Sequence, residues 1–80
     1  MTEQQILEKL QEWLLDRVGM ESDGSTNYLD SGALDSFDII CFVSYIEGEF
    51  EIQLQVEDLQ SQDFNTLVGL ARLISLRRSR

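Results

Sequence analysis

The chain has 80 residues, enough for one domain and too few for two. A domain of this size buries little more than ~60 % of its unfolded surface, so its core is thin and a roomy, water-excluding catalytic pocket is not expected. Fifteen acids stand against six basic residues, a net charge of −9 that repels nucleic acid and anionic membranes and attracts basic protein surfaces, although simple solubility explains the same charge. Cys41 is the only cysteine, so no internal disulfide can form. No apolar run approaches the roughly 20 residues of a membrane span. The polar start, Met1 to Gln5, is unlike a targeting peptide, and a cytoplasmic location is expected.

Residues 3 to 18 read as an amphipathic helix. Ile6, Leu7, Leu10, Leu14 and Val18 recur at three- and four-residue steps, with Trp13 beside the stripe. Thr2 is the expected N-cap and Gly19 the expected stop. Residues 20 to 35 read as a long loop rich in turn formers, anchored by Tyr28 and Leu29. Its acids do not match the spacing of a calcium loop in any register.

Residues 36 to 50 predict a second helix. Ile39, Phe42, Val43, Ile46 and Phe50 share one face, the expected core stripe. Phe37, Ile40, Cys41, Ser44 and Gly48 lie opposite, where a helix that only met water would be charged. Rimmed by Asp38, Glu47 and Glu49, this face is expected to dock a partner protein, and contact with the loop or another helix is the alternative. As a lone helical cysteine, Cys41 reads first as a small packing residue.

Residues 51 to 63 form a connector, extended over 51–54 and with a short helical turn at Val56–Leu59. Asn65 is the expected cap of a last helix that turns Leu67, Leu70, Ala71, Leu73 and Ile74 inward, with Phe64 as a staple before it. Arg77, Arg78 and Arg80 are expected past the packed part, complementing the helix end. Three main helices and one short one make the fold class all-α.

The chain has no histidine, so a Ser-His-Asp or Cys-His arrangement is impossible. No Cys/His cluster points to zinc, and no metal site is expected. Ser36 stands where the loop turns into the second helix. A serine there is a common N-cap, but it also offers its oxygen beside free helical N–H groups and the positive end of the helix dipole, where a phosphodiester is stabilised. Nothing in the chain activates that hydroxyl, so any chemistry at Ser36 must be performed by another enzyme.

Asp35-Ser36 followed by Phe37, a turn-rich loop before it, Glu47-Gly48-Glu49-Phe50 after it and Phe64-Asn65-Thr66-Leu67-Val68 further on resemble the acyl carrier protein superfamily over essentially the whole chain. The resemblance implies a bundle of three main helices and a short one, with residues 1–80 as a single carrier domain whose ends, 1–2 and 77–80, fray. It implies a 4'-phosphopantetheine arm on Ser36, flanked by Asp35 and Phe37, installed by a phosphopantetheinyl transferase. The arm then carries an acyl or aminoacyl thioester, loaded by an adenylating ligase or acyltransferase and passed to an acceptor enzyme. The docking face would be Phe37, Asp38, Ile40, Cys41, Ser44 and Glu47, on a monomer that is not itself an enzyme. Phe42, Val43 and Ile46 lie where an acyl chain would slip between helices, but read first as ordinary core. Two residues, Ala33 and Leu34, separate Gly32 from Asp35-Ser36, where fatty-acid carriers typically have one. That spacing resembles D-alanyl and other discrete carriers, which points to a dedicated biosynthetic pathway. A general fatty-acid or polyketide carrier is the alternative, and a non-covalent acidic helical adaptor the alternative of another class.

Overall fold

A computed structural model describes residues 1–30, 32 and 34–78. The elements are α1 (Glu3–Val18), α2 (Ser36–Phe50), α3 (Val56–Leu59), a 3-10 turn (Gln62–Asn65) and α4 (Leu67–Arg78), with no strand among the described residues. This is the all-α arrangement expected, three main helices and one short one.

Each long helix starts where a side chain accepts from one of its free N–H groups. At the start of α1 the Thr2 hydroxyl accepts from the Gln5 N–H at 3.1 Å, and the Gln5 side chain accepts from the Thr2 N–H at 2.8 Å. At its end Gly19 turns left-handed, φ 71°, and donates to Leu15 O at 3.0 Å. α1 buries Ile6, Leu10 and Leu14, α2 buries Phe42, Ile46 and Phe50, and α4 buries Leu67, Leu70, Ala71, Leu73 and Ile74. Ile39 and Val43, expected in the core stripe, are half-buried and pack against its edge. α1 and α2 run antiparallel: Lys9 pairs with Glu49 at 3.2 Å near one end, and Arg17 donates to the Cys41 Sγ at 3.6 Å near the other. Between these ties Trp13 stacks on Phe42 and Tyr45, with ring centres 4.9 and 5.7 Å away.

The long loop is held from inside. The buried Tyr28 hydroxyl donates to Phe64 O at 2.6 Å, and the Tyr28 N–H donates to Asn65 O at 3.3 Å. Its ring meets Phe42 edge-on at 5.7 Å. A few residues earlier, Gly24 O accepts from the Val68 N–H at 2.8 Å. Asp23 folds the intervening turn by accepting from the N–H groups of Ser25 and Thr26, which holds its carboxyl below the usual carboxylate range. Leu34, which the sequence reading did not name as an anchor, is buried at the far end of the loop.

Two expectations about the C-terminal part are corrected. Thr66, not Asn65, caps α4: its hydroxyl accepts from the Gly69 N–H at 3.1 Å and its carbonyl from the Leu70 N–H at 2.9 Å. Asn65 closes the 3-10 turn instead, and its carbonyl is taken by Tyr28. Arg77 is not past the packed part; it lies within α4 and pairs with the buried Asp58 of α3. Arg80, named with it, lies outside the described residues. Phe64 is buried core, which is a larger role than a staple.

Gly69 lets α4 cross the 3-10 turn closely. A Cβ there would stand 2.6 Å from Asp63 O and 2.9 Å from Asp63 Cα, backbone atoms that cannot swing aside. Gly69→Ala is therefore expected to lose about 1–3 kcal/mol in urea unfolding. Gly48→Ala, with no atom within 4 Å of the added carbon, is expected to gain about 0.5–1 kcal/mol on the same measurement.

Burial pushes the Tyr28 phenol above its ordinary pKa of 10.0. The unfolded chain then ionises at lower pH than the folded one, so this residue's contribution to stability is complete below pH 10 and declines as pH rises past it. Tyr28→Phe is expected to cost about 1 kcal/mol at neutral pH through the lost hydrogen bond. It is also expected to flatten the alkaline decline in a pH series of urea melts.

Candidate functional site

The candidate site is the junction at which the pinned loop becomes α2. Leu34 turns into the core, and Asp35 and Ser36 emerge exposed directly after it. Asp35 has extended backbone, φ −92° and ψ −178°, and is the N-cap. Its Oδ1 accepts from the Asp38 N–H at 2.8 Å, and the Asp38 Oδ2 accepts from the Asp35 N–H at 3.3 Å. Ser36 is thus the first residue inside the helix. The N-cap reading of Ser36 is overturned, because a carboxylate one residue earlier fills that role. The serine oxygen is left with no capping duty.

Ser36 and Phe37 come first in the helix, so their N–H groups have no intrahelical acceptor. Together with the helix dipole they favour negative charge on an oxygen attached there. The two nearby carboxylates are engaged with backbone N–H groups. A phosphodiester on Ser36 therefore suits the donor set, and the chain has no histidine to activate the hydroxyl itself.

The residues expected on a docking face divide into two groups. Phe37 and Ile40 are 66 % and 63 % exposed, large apolar side chains facing water one helical turn apart. Ser44 continues that exposed line. Cys41 is half-buried and turns toward α1, where its sulfur accepts from Arg17; it belongs to the α1–α2 seam as much as to the outer face. Glu47 is half-buried as well, and its Oε2 accepts from the Leu54 N–H at 2.9 Å. Asp38 serves the cap, and Glu49 holds Lys9. The acidic rim is therefore fixed in place by backbone and lysine contacts, and its carboxylates still contribute their charge to the surface.

Phe42 and Ile46 have no exposure and are packed among Trp13, Tyr28 and the helical core, as the ordinary-core reading required. Sequence reasoning missed two exposed apolar residues, Val56 and Leu59 on α3. A four-residue helix is too short for its periodicity to reveal which side faces water. It also missed the Arg17–Trp13 contact, in which the guanidinium stands 5.9 Å from the indole centre. The four-residue spacing of Trp13 and Arg17 on α1 was the available signal.

No helix of the described chain is long and apolar enough to cross a membrane. No group of three or more Cys, Asp or Glu side chains among the described residues is placed to hold a metal ion. No curated protein matches the chain. The family model described as a phosphopantetheine attachment site matches residues 4–74. Carriers of that family are non-catalytic, bear 4'-phosphopantetheine covalently on a serine, and work with a phosphopantetheinyl transferase and partner enzymes. With nearly its whole length matched, and with an exposed serine opening its second helix, the chain belongs to the phosphopantetheine-attachment family of carrier proteins.

Proposed function

We propose that Ser36 is the attachment residue and that the protein presents an aminoacyl or short acyl group in a dedicated biosynthetic pathway. The observation that carries this reading is the exposed Ser36 hydroxyl at the first position of α2, released from capping by Asp35. The arm supplies a thiol for thioester formation, and the protein supplies the place from which it swings. Asp35 holds the helix start beneath the attachment point, and the N–H groups of Ser36 and Phe37 would serve as donors to the arm's phosphate.

Phe37, Ile40 and Ser44 form the proposed docking strip, with the charges of Asp38 and Glu47 alongside and Cys41 at its α1 edge. The partner that fits has an apolar hollow ringed by basic residues, steered into place by the stretch between Arg17 and Arg72, which holds eleven acids and no lysine or arginine. The transferase, a loading ligase or acyltransferase and an acceptor enzyme would use this strip in turn. The spacing Gly32-Ala33-Leu34-Asp35-Ser36 supports an aminoacyl-type carrier, acting in the cytoplasm as a monomer.

Incubation with coenzyme A and a broad-specificity transferase is expected to raise the intact mass by about 340 Da, the mass of the arm that brings the chemistry. Ser36→Ala is expected to show no gain. An unmodified wild-type chain would favour the non-covalent adaptor. Charging of the holo form by a panel of ligases then separates an aminoacyl carrier from a fatty-acid or polyketide one.

Phe37→Glu and Ile40→Glu are each expected to weaken docking to a loading enzyme by about ten-fold or more, as loss of an apolar anchor does. Both side chains face water, so circular dichroism is expected to be unchanged. A large loss of helicity would place them in the core instead.

A further inference from the structure

We infer that α3 is a latched segment, held to the bundle by carboxylates more than by burial of its own apolar side chains. Four residues are far too few for a helix to persist in water unaided. Over residues 51–60 the buried side chains are Leu54 and Asp58, while Val56 is 70 % and Leu59 39 % exposed. Beside the packing of Leu54 and Ile52, the segment is held by polar contacts. Glu47 of α2 accepts from the Leu54 N–H at 2.9 Å. Asp58 acts in two directions: its Oδ2 accepts from the Gln55 N–H at 2.9 Å, closing the start of α3, and its Oδ1 takes the Arg77 guanidinium of α4. That contact holds Arg77 protonated to higher pH than an ordinary arginine.

The latch is poised to release. Arg77 Nε is buried with no hydrogen-bond partner, so the ion pair carries an unsatisfied donor into the protein. At the α2 end, Glu51 opens the connector in a left-handed conformation, φ 55° and ψ 47°, that a residue with a Cβ adopts at a cost. Opening α3 breaks the Asp58 and Glu47 contacts and frees Leu54 and the half-buried Ile52, leaving the rest of the core in place. It therefore takes less free energy than unfolding the bundle. Closed, α3 presents Val56 and Leu59 as a fixed apolar patch; released, it does not. That α3 thereby controls which partners the carrier accepts rests on the carrier reading. The latch itself does not.

The test is amide hydrogen exchange on the full chain, comparing wild type with Asp58→Asn and Arg77→Gln. The reporters are the N–H groups of Asp58 and Leu59, bonded to Gln55 O, and of Gln60, bonded to Val56 O. Both variants are expected to speed exchange at these amides by about ten-fold or more, with the slowest α1 and α4 amides unchanged. Uniform acceleration along the chain would make the pair an ordinary structural contact and overturn the latch. So would an effect of Asp58→Asn that Arg77→Gln does not share, because the carboxylate would then be only a helix cap. If Asp58→Asn does not fold, Arg77→Gln decides alone by the same criterion. Treating the same wild-type sample with coenzyme A and transferase keeps the two readings apart. Absence of the arm would count against the carrier, and exchange alone judges the latch.

Discussion

Everything at the functional end of this molecule depends on the attachment of a long loop to the bundle. Among the described residues from Gly19 to Asp35 there is no helix or strand, yet this stretch must deliver α2 to a definite starting residue. Tyr28 does most of that work. Its hydroxyl and its N–H reach consecutive carbonyls, Phe64 and Asn65, on the turn before α4, and its ring closes on Phe42 of α2. A buried phenol satisfied in this way is rigid, because breaking the bond strands a carbonyl in the core. Gly24 and Leu34 secure the two flanks of the loop. With the loop fixed, Asp35 arrives extended and caps, and Ser36 is left outside the core with its oxygen unclaimed.

The acids illustrate how a strongly charged small domain can be built with few cations. Asp23, Asp35, Asp38, Glu47 and Asp58 each accept from backbone N–H groups, serving as turn formers, caps and ties. Such charge-assisted bonds hold loops and helix ends that a thin core cannot. The paired surface charges contribute much less: Lys9–Glu49 and Arg72–Asp63 are both well exposed, and pairs of that kind are worth ~0–1 kcal/mol. These structural roles hold the acidic side chains around α2 in fixed positions.

Local signals made much of this legible in the sequence. The two long N-terminal helices occupy the residue ranges that periodicity predicts, because Thr2 and Gly19 bracket α1 and the apolar stripe of α2 follows a polar loop. The exposed Phe37 and Ile40 were legible for the same reason: two large apolar side chains on the face away from the core stripe are unusual. The misplacements all turn on a competing residue or on contacts between distant segments. Asp35 and Ser36 are both good caps, as are Asn65 and Thr66, and which one acts is decided by what the neighbouring carbonyl or loop requires. Arg77 read as tail because its partner Asp58 lies nineteen residues earlier on another element. Glu47 and Cys41 read as outer-face residues because neither the Leu54 N–H nor Arg17 can be placed beside them without the fold.

The central claim is that one hydroxyl, that of Ser36, is a tether because the helix start leaves it free while every other requirement of the junction is met by its neighbours. Tandem mass spectrometry of the proteolytic fragment spanning the α2 start, after treatment with coenzyme A and a transferase, tests this most directly. The account predicts that the added group resides on the residue between Asp35 and Phe37. An adduct on Ser22, Ser25, Ser44 or Ser61 would contradict it.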